Sequence, residues 1–356
     1  MKIGLSLNTH GGAYGEAVPD RDAYPAFLER LIAQAVAAEE GGFDGLFVAE
    51  RHARHETFFP QPMTLLGILA THTERIELAT HVLILSLYNP AQIAEEAALV
   101  DLSSRGRLIF GVAMGYNDAY DAAYGVGRLP RRTRFEEGLD VMELAWRGEP
   151  FEYLGDAFTF DDALILPRPY RKPRPKLWIG GQAEKAVLRA ARRGDGWPLA
   201  WPLAEDHWQR LRRVYREESA AHGRRGEICI TRHTWVGTDR KAVEEKYAPL
   251  WLADLKYYFD RGQLVHPDFQ SAADFTIENA RKALIMGTPE EAVEKILAYA
   301  ADDVDYLKIS MRLPLGPSMD EADEVIQILA EEVLPKVRAE LGTAPVGAPV
   351  TGAVAG

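Results

Sequence analysis

FDGLFVAERH (residues 43–52), RIELATHVLIL (75–85) and RLIFGVAMGYND (107–118) are apolar runs of strand length whose final residues a buried strand would not keep. Those residues, Glu50, Arg51, His52, Thr80, His81 and Asn117, are polar and able to carry chemistry. The N-terminal run MKIGLSLNTH ends in the same way, at Asn8 and His10. Strands that enter a core and place their polar groups at one end are the pattern of a parallel (β/α)8 TIM barrel, an α/β fold with its site at the C-terminal strand ends.

Outward from this stretch, strands and helices alternate along the chain, which argues for parallel pairing through helical crossovers. Leu28, Leu31, Ile32 and Ala35 share one helix face, and Gly41-Gly42 stops that helix. A short helix is expected over Pro62 to Thr71. Asn89-Pro90 opens the next helix with a side-chain cap and a first-position proline; Ile93, Ala97 and Val100 face inward there. Strand four, LIFGVAMG, leads through YNDAYDAAYGVGRLPRRTR to a helix near Arg134. LPRPYRKPRPK is read as extended, because its prolines forbid helix. Strand five is KLWIGG, strand six lies near WPLAW, strand seven is EICITRHTWVG and strand eight DYLKISMRL. Residues 240 to 285, between strands seven and eight, read as a helical insertion with a mobile loop on the catalytic face. Thr288-Pro289-Glu290-Glu291 is a capping box. One barrel domain is expected over residues 1–341, with a disordered tail over 342–356, GTAPVGAPVTGAVAG.

Composition narrows the function. A net charge of −12 opposes binding to nucleic acid. One cysteine, Cys229, excludes an intramolecular disulfide and a multi-thiolate metal site, and within its strand it reads as a small core residue. No window approaches a membrane span and the N-terminus lacks a secretory pattern, so a cytoplasmic protein is expected.

The strongest local signal is KLWIGGQAEKAVLRAARRGDGW (176–197). Gly180-Gly181-Gln182 joins a buried strand to a helix whose first N–H groups, with Lys185 in the first turn, suit an anion such as phosphate; a plain strand-to-helix turn is the bland reading. Glu50, Arg51 and His52 stand where a barrel keeps catalytic groups, and a histidine there can exchange protons. His81 reads equally as a satisfied core histidine or as a residue of the pocket mouth. The arginines at 128, 131, 132 and 134 form a charge run, usually a solvated face, in which Arg134 could reach a phosphate. Trp178, Trp197 and Trp201 pack the core by default; stacking on a planar cofactor is the sharper reading.

Taken in order, FDGLFVAERH, ELATHVLIL, NPAQIAEEAALVDLSSRGRLIFGV (89–112), RFEEGLDVMELAW, KLWIGGQ and DGWPLAW resemble the bacterial luciferase-like flavin monooxygenase superfamily, with weaker agreement at TPEEAVEKI and the last strand. The resemblance implies a (β/α)8 barrel, usually dimeric, that binds reduced FMN or a deazaflavin. It places the family's phosphate contacts on Gly181, Gln182, Lys185 and Arg134, beside Gly180. It implies a non-prolyl cis peptide at His81-Val82, with Thr80, His81 and Trp201 lining the ring pocket. Two positions depart from it: Arg51 replaces the family's catalytic first histidine, leaving His52, and Met114 replaces an arginine of the phosphate site. Both argue against light emission from an aldehyde.

The expected activity is that of a two-component monooxygenase, in which a separate NAD(P)H flavin reductase supplies reduced FMN and dioxygen oxygenates a small organic substrate. His52 and His81 would manage protons, and Arg51 would steady negative charge. Three alternatives stand beside it. A deazaflavin-dependent hydride-transfer enzyme could hold its cofactor's acidic tail on the 128–134 stretch. A non-catalytic flavin-binding protein is another. A metal-dependent hydrolase is disfavoured, because no ligand set at fixed spacing occurs.

Overall fold

The structure is a computed structural model that describes residues 1–7, 9, 20–53, 57–126, 129–199, 205–260, 268–311, 313 and 316–345. Eight parallel strands close on themselves: β1 (Lys2–Leu7), β2 (Gly45–Val48), β3 (Glu77–Thr80), β4 (Leu108–Ala113), β5 (Lys176–Ile179), β6 (Gly196–Leu199), β7 (Glu227–Val236) and β8 (Tyr306–Ser310). Closure is made where β8 pairs with β1, from Lys2↔Tyr306 to Leu5↔Ile309. The helices that cover the strands are α1 (Ala23–Glu40), α2 (Pro62–Ala70), α3 (Pro90–Ser103), α4 (Asp118–Tyr124), α5 (Arg131–Ala145) and α6 (Glu184–Arg193). They continue with α7 (Glu205–Ala221), α8 (Arg240–Phe259), α9 (Ile277–Ala283), α10 (Pro289–Ala301), α11 (Met319–Ile328) and α12 (Leu334–Leu341).

Local chemistry sets these boundaries as the sequence implied. Asn89 caps α3 by accepting from the Ala91 N–H at 2.9 Å, and the Thr288–Glu291 box opens α10. Leu31 and Ala35 of α1, and Ile93, Ala97 and Val100 of α3, are buried against the sheet. The barrel is plugged by Phe47, Ala79, Ile109, Trp178, Cys229 and Tyr306, one inward residue from each of six strands. One layer toward the N-terminal ends, two positions earlier on β3, β5 and β7, lie Glu77, Lys176 and Glu227. Lys176 meets both carboxylates, at 3.3 and 3.0 Å, and Lys2 meets Glu77 at 2.8 Å. A plugged axis and a paired ionic floor leave the C-terminal mouth as the end open to chemistry.

Two regions differ from the sequence reading. Residues 151–163, to which the sequence reading assigns no element, form an antiparallel hairpin, Phe151–Leu154 with Thr159–Ala163. Its turn is fixed from a distance: the Glu137 carboxylate accepts from the N–H groups of Asp156, Ala157 and Phe158 at 2.8–3.1 Å. Within the expected insertion, α8 continues through Pro249, and Ile285–Gly287 forms a short strand that pairs with the end of β7. Trp251 and Tyr258 of α8 are buried, and Trp251 packs against Phe269. Tertiary burial here outweighs the break a proline normally makes.

Candidate active site

The end of β2 turns inward instead of into solvent. The Glu50 carboxylate, fully buried, accepts from the backbone N–H of Ile84 and from the Tyr88 hydroxyl, and it lies 2.5 Å from His52 Nε2. An ionised carboxylate only accepts, so His52 Nε2 carries the hydrogen and Nδ1 accepts from the Tyr124 hydroxyl at 3.0 Å. Gln61 Nε2 donates to the same hydroxyl at 3.0 Å. A hydrogen-bonded line thus runs from Gln61 at the rim through Tyr124 and His52 to Glu50. Burial and the Glu50 charge push the Tyr88 phenol far up, and burial raises that of Tyr124, so both remain protonated donors.

The ends of β3 and β4 are latched to each other. Thr80 Oγ1 donates to Gly111 O at 2.7 Å and accepts from Gly111 N at 2.8 Å, at a place where any side chain on Gly111 would strike the Thr80 carbonyl. The next peptide, His81-Val82, is cis, at the position implied by the resemblance. His81 is buried, and its Nδ1 lies 3.2 Å from Lys308 Nζ. An ammonium can only donate, so Nδ1 is the acceptor and Nε2 holds the hydrogen. Burial and the Lys308 charge depress the His81 imidazole well below its ordinary range. It is therefore a neutral donor. His233 of β7, stacked on Trp235 and bonded to Trp251 Nε1 at 3.2 Å, is drawn down to about 3 by burial and the charges of Lys308, Arg51 and Arg232.

At the ends of β4 and β5 the Gly180-Gly181-Gln182 turn delivers the chain into α6. Ala183 at the N-cap has no side-chain oxygen to offer the first N–H groups of the helix. Gln182 Nε2 is buried without a hydrogen-bond partner among the described residues. Gly181 adopts φ +153°, and a Cβ there would lie 2.4 Å from that of Ala186. Lys185 is exposed in the first turn. Arg189 joins Glu136 at 2.6 Å, an ion pair between α6 and α5. The Arg134 guanidinium donates to Ser86 O at 2.6 Å and to Tyr88 O at 3.3 Å, and burial lowers it.

The family model described as luciferase-like monooxygenase matches residues 1–306. The chain belongs to the luciferase-like monooxygenases. Among curated relatives of this luciferase-like monooxygenase, the oxygenase component of the flavin-dependent trigonelline monooxygenase of Acinetobacter baylyi is 25% identical over 338 residues, 90% of this chain and 92% of that one. An F420-dependent glucose-6-phosphate dehydrogenase of Amycolatopsis mediterranei is 29% identical over 327 residues, 87% and 94% of the two chains. Among solved structures, the monooxygenase RslO1 of Streptomyces bottropensis superposes with a TM-score of 0.78 at 22% identity, covering 94% of this chain and 99% of that one. That likeness carries the fold.

Within this luciferase-like monooxygenase, Arg51 and His52 follow the end of β2 and His81 the end of β3, while Gly180, Gly181, Gln182 and Lys185 belong to the turn between β5 and α6 and Arg134 lies near the start of α5. Trp201, Asn8, His10 and Arg128 lie outside the described residues. The Thr80 hydroxyl is committed to Gly111, which leaves His81 as the polar side chain at that strand end. Asn117 caps α4, accepting from the Ala119 N–H at 3.0 Å. Of the arginine run, Arg131 is held by Asp118 and Asp121. Sequence reasoning missed Tyr88, Tyr124 and Lys308. Each stands in a segment whose local pattern reads as helix cap, loop or strand, and only the register turns it toward the site. No helix among the described residues is long and apolar enough to cross a membrane.

Proposed function

We propose that this enzyme is the oxygenase component of a two-component monooxygenase that uses reduced FMN and dioxygen to oxygenate a small organic substrate, with a separate NAD(P)H flavin reductase as its partner. The observation that carries the reading is the buried Gln182 Nε2, unpartnered among the described residues, beside the uncapped start of α6, a donor set that fits a phosphate ester. Gly181, Gln182 and Lys185 would hold the FMN phosphate, with Arg134 near the start of α5. His81 and Trp201 would border the ring. When bound, reduced FMN supplies the electrons and activates dioxygen.

The chain's own residues do the rest. His52 Nδ1, faced by the Tyr124 hydroxyl, would take up or release the proton, and Glu50 would hold the resulting imidazolium while fixing its tautomer. Arg51, at the same strand end, places positive charge near the mouth, where its field reaches Lys308 and His233. His81 donates an N–H and exchanges no proton. The trigonelline monooxygenase relationship supports the oxygenase assignment. Reconstitution with FMN, NADH and a reductase is expected to show oxygen uptake that depends on an organic substrate; none across a broad panel overturns the assignment.

The dehydrogenase relative, 29% identical, favours a second reading: hydride transfer with a deazaflavin whose acidic tail follows the arginines of residues 128–134. Arg132 is exposed there, whereas Arg131 is tied to acidic partners. Titration of tryptophan fluorescence with FMN and with the deazaflavin separates the two readings by affinity.

A further inference from the structure

The barrel treats the lysines of its strands unequally. At the N-terminal end, Lys176 has two carboxylates within 3.3 Å and Lys2 has one. One layer above the plug, two positions beyond Tyr306 on β8, Lys308 is 6% exposed, and its hydrogen-bond partner among the described residues is the neutral ring of His81. No carboxylate among the described residues reaches it. The groups that act on its charge are the guanidinium of Arg51, of the same sign, and the Cys229 thiol, which burial keeps protonated.

The same layer holds two more buried polar atoms without hydrogen-bond partners among the described residues. His81, two positions beyond Ala79, has an unbonded Nε2. Thr231, two positions beyond Cys229 and in register with Lys308, has an unbonded Oγ1. Both side chains are 8% exposed. A buried ammonium without a counter-charge costs several kcal/mol, and buried donors without acceptors call for an explanation. The Lys308 ammonium, the His81 Nε2–H and the Thr231 hydroxyl, from three strands, each have a hydrogen to donate and no anionic partner among the described residues, which describes the place of an anion. A carboxylate fits because its two oxygens can be shared among three donors in one layer. The phosphate donors stand elsewhere, at the start of α6.

We propose that Lys308, His81 and Thr231 form a subsite on the barrel axis that binds the carboxylate of an organic-acid substrate. The proposal rests on the flavin-dependent reading for its chemistry but not for its binding. Its test is calorimetric titration of the full-length protein, flavin-free and FMN-loaded, with acetate, benzoate and nicotinate and with the corresponding neutral amides. At least one acid is expected to bind about tenfold or more tighter than its amide, as a hydrogen bond to a charged group implies. Lys308→Met should abolish that preference, and Thr231→Val should reduce it. Because the methionine removes an unpaired buried charge, that variant should melt at or above the wild-type temperature, which shows that it folds.

Equal binding of acids and amides, or unchanged acid binding in Lys308→Met, overturns the proposal and leaves the three groups to ordered water. A change in the potential of bound FMN in Lys308→Met, with acid binding intact, also overturns it and assigns the charge to the ring. Failure of the wild type to bind FMN would count against the flavin reading alone, since the flavin-free titration still reads the subsite.

Discussion

His52 Nε2 and the Glu50 carboxylate lie 2.5 Å apart in a pocket from which both side chains are withdrawn from solvent. This pair sets the tautomer of the histidine and leaves its Nδ1 facing Tyr124. His52→Ala is expected to lower turnover by about 10²–10⁴-fold, the range of a lost acid or base, while the affinity for FMN stays the same. Glu50→Gln removes the charge and turns one of the two oxygen acceptors, which serve Ile84 on one side and Tyr88 and His52 on the other, into an NH2 donor, so it should also lower stability by about 1.5–3 kcal/mol for each charged hydrogen bond lost. Steady-state kinetics with calorimetry and denaturant unfolding checks both.

Tyr124→Phe removes the donor to His52 Nδ1 and, at the exposed rim, the acceptor for Gln61 Nε2. Nitrogen-15 NMR of the imidazole should show the Nδ1 resonance moving while Nε2 remains protonated toward Glu50. Turnover should fall without a change in melting temperature, because the ring still packs against His52. An unaltered Nδ1 signal would remove Tyr124 from the proton path.

The α6 turn makes a prediction that does not depend on catalysis. Gln182→Ala removes a side-chain donor from the phosphate, and the expected loss in FMN affinity is about ten- to a hundredfold. Riboflavin, which lacks the phosphate, should bind the variant and the wild type equally. Equal losses for both ligands would mean that Gln182 contacts the ring or only supports the turn.

Stability should depend on pH through Lys308. Burial draws this ammonium down to about 8 from the 10.5 of an exposed lysine. The unfolded chain therefore holds the proton more firmly than the native state, and stability rises with pH between those values. Below about pH 8 the penalty is constant, on the order of 3 kcal/mol. Lys308→Met is expected to melt above the wild type at pH 7, and the difference should close toward pH 10.5.

The acid side belongs to His233 and His81. Both are held below the ordinary histidine range in the native state, His233 at about 3, so the unfolded chain gains protons first as pH falls below 6.5. Stability should decline from pH 6.5 toward pH 3. His233→Gln should lose less than the wild type over that interval in melting experiments.

The barrel was legible because its strands carry polar residues at one end only, as in FDGLFVAERH and RLIFGVAMGYND, and because Asn89-Pro90 and Thr288–Glu291 mark helix starts by purely local bonds. The Gly180-Gly181-Gln182 turn was legible for the same reason. Lys308 was not: in DYLKISMRL a lysine reads as an exposed position, and only closure of β8 onto β1 and β7 turns it onto the axis. Tyr124 reaches His52 across 72 positions, and Glu137 fixes its hairpin turn from another element. Such groupings are made by tertiary packing and leave no periodic trace in the sequence. The course of α8 through Pro249 is hidden likewise, since burial of Trp251 and Leu255 decides it.

The most direct measurement is a crystal structure of the protein grown with FMN. The expected result is a phosphate on the amides and side chains of Gly181, Gln182 and Lys185 at the start of α6, with the ring beside His81. A phosphate bound elsewhere on the barrel, or no flavin at millimolar FMN, would contradict it.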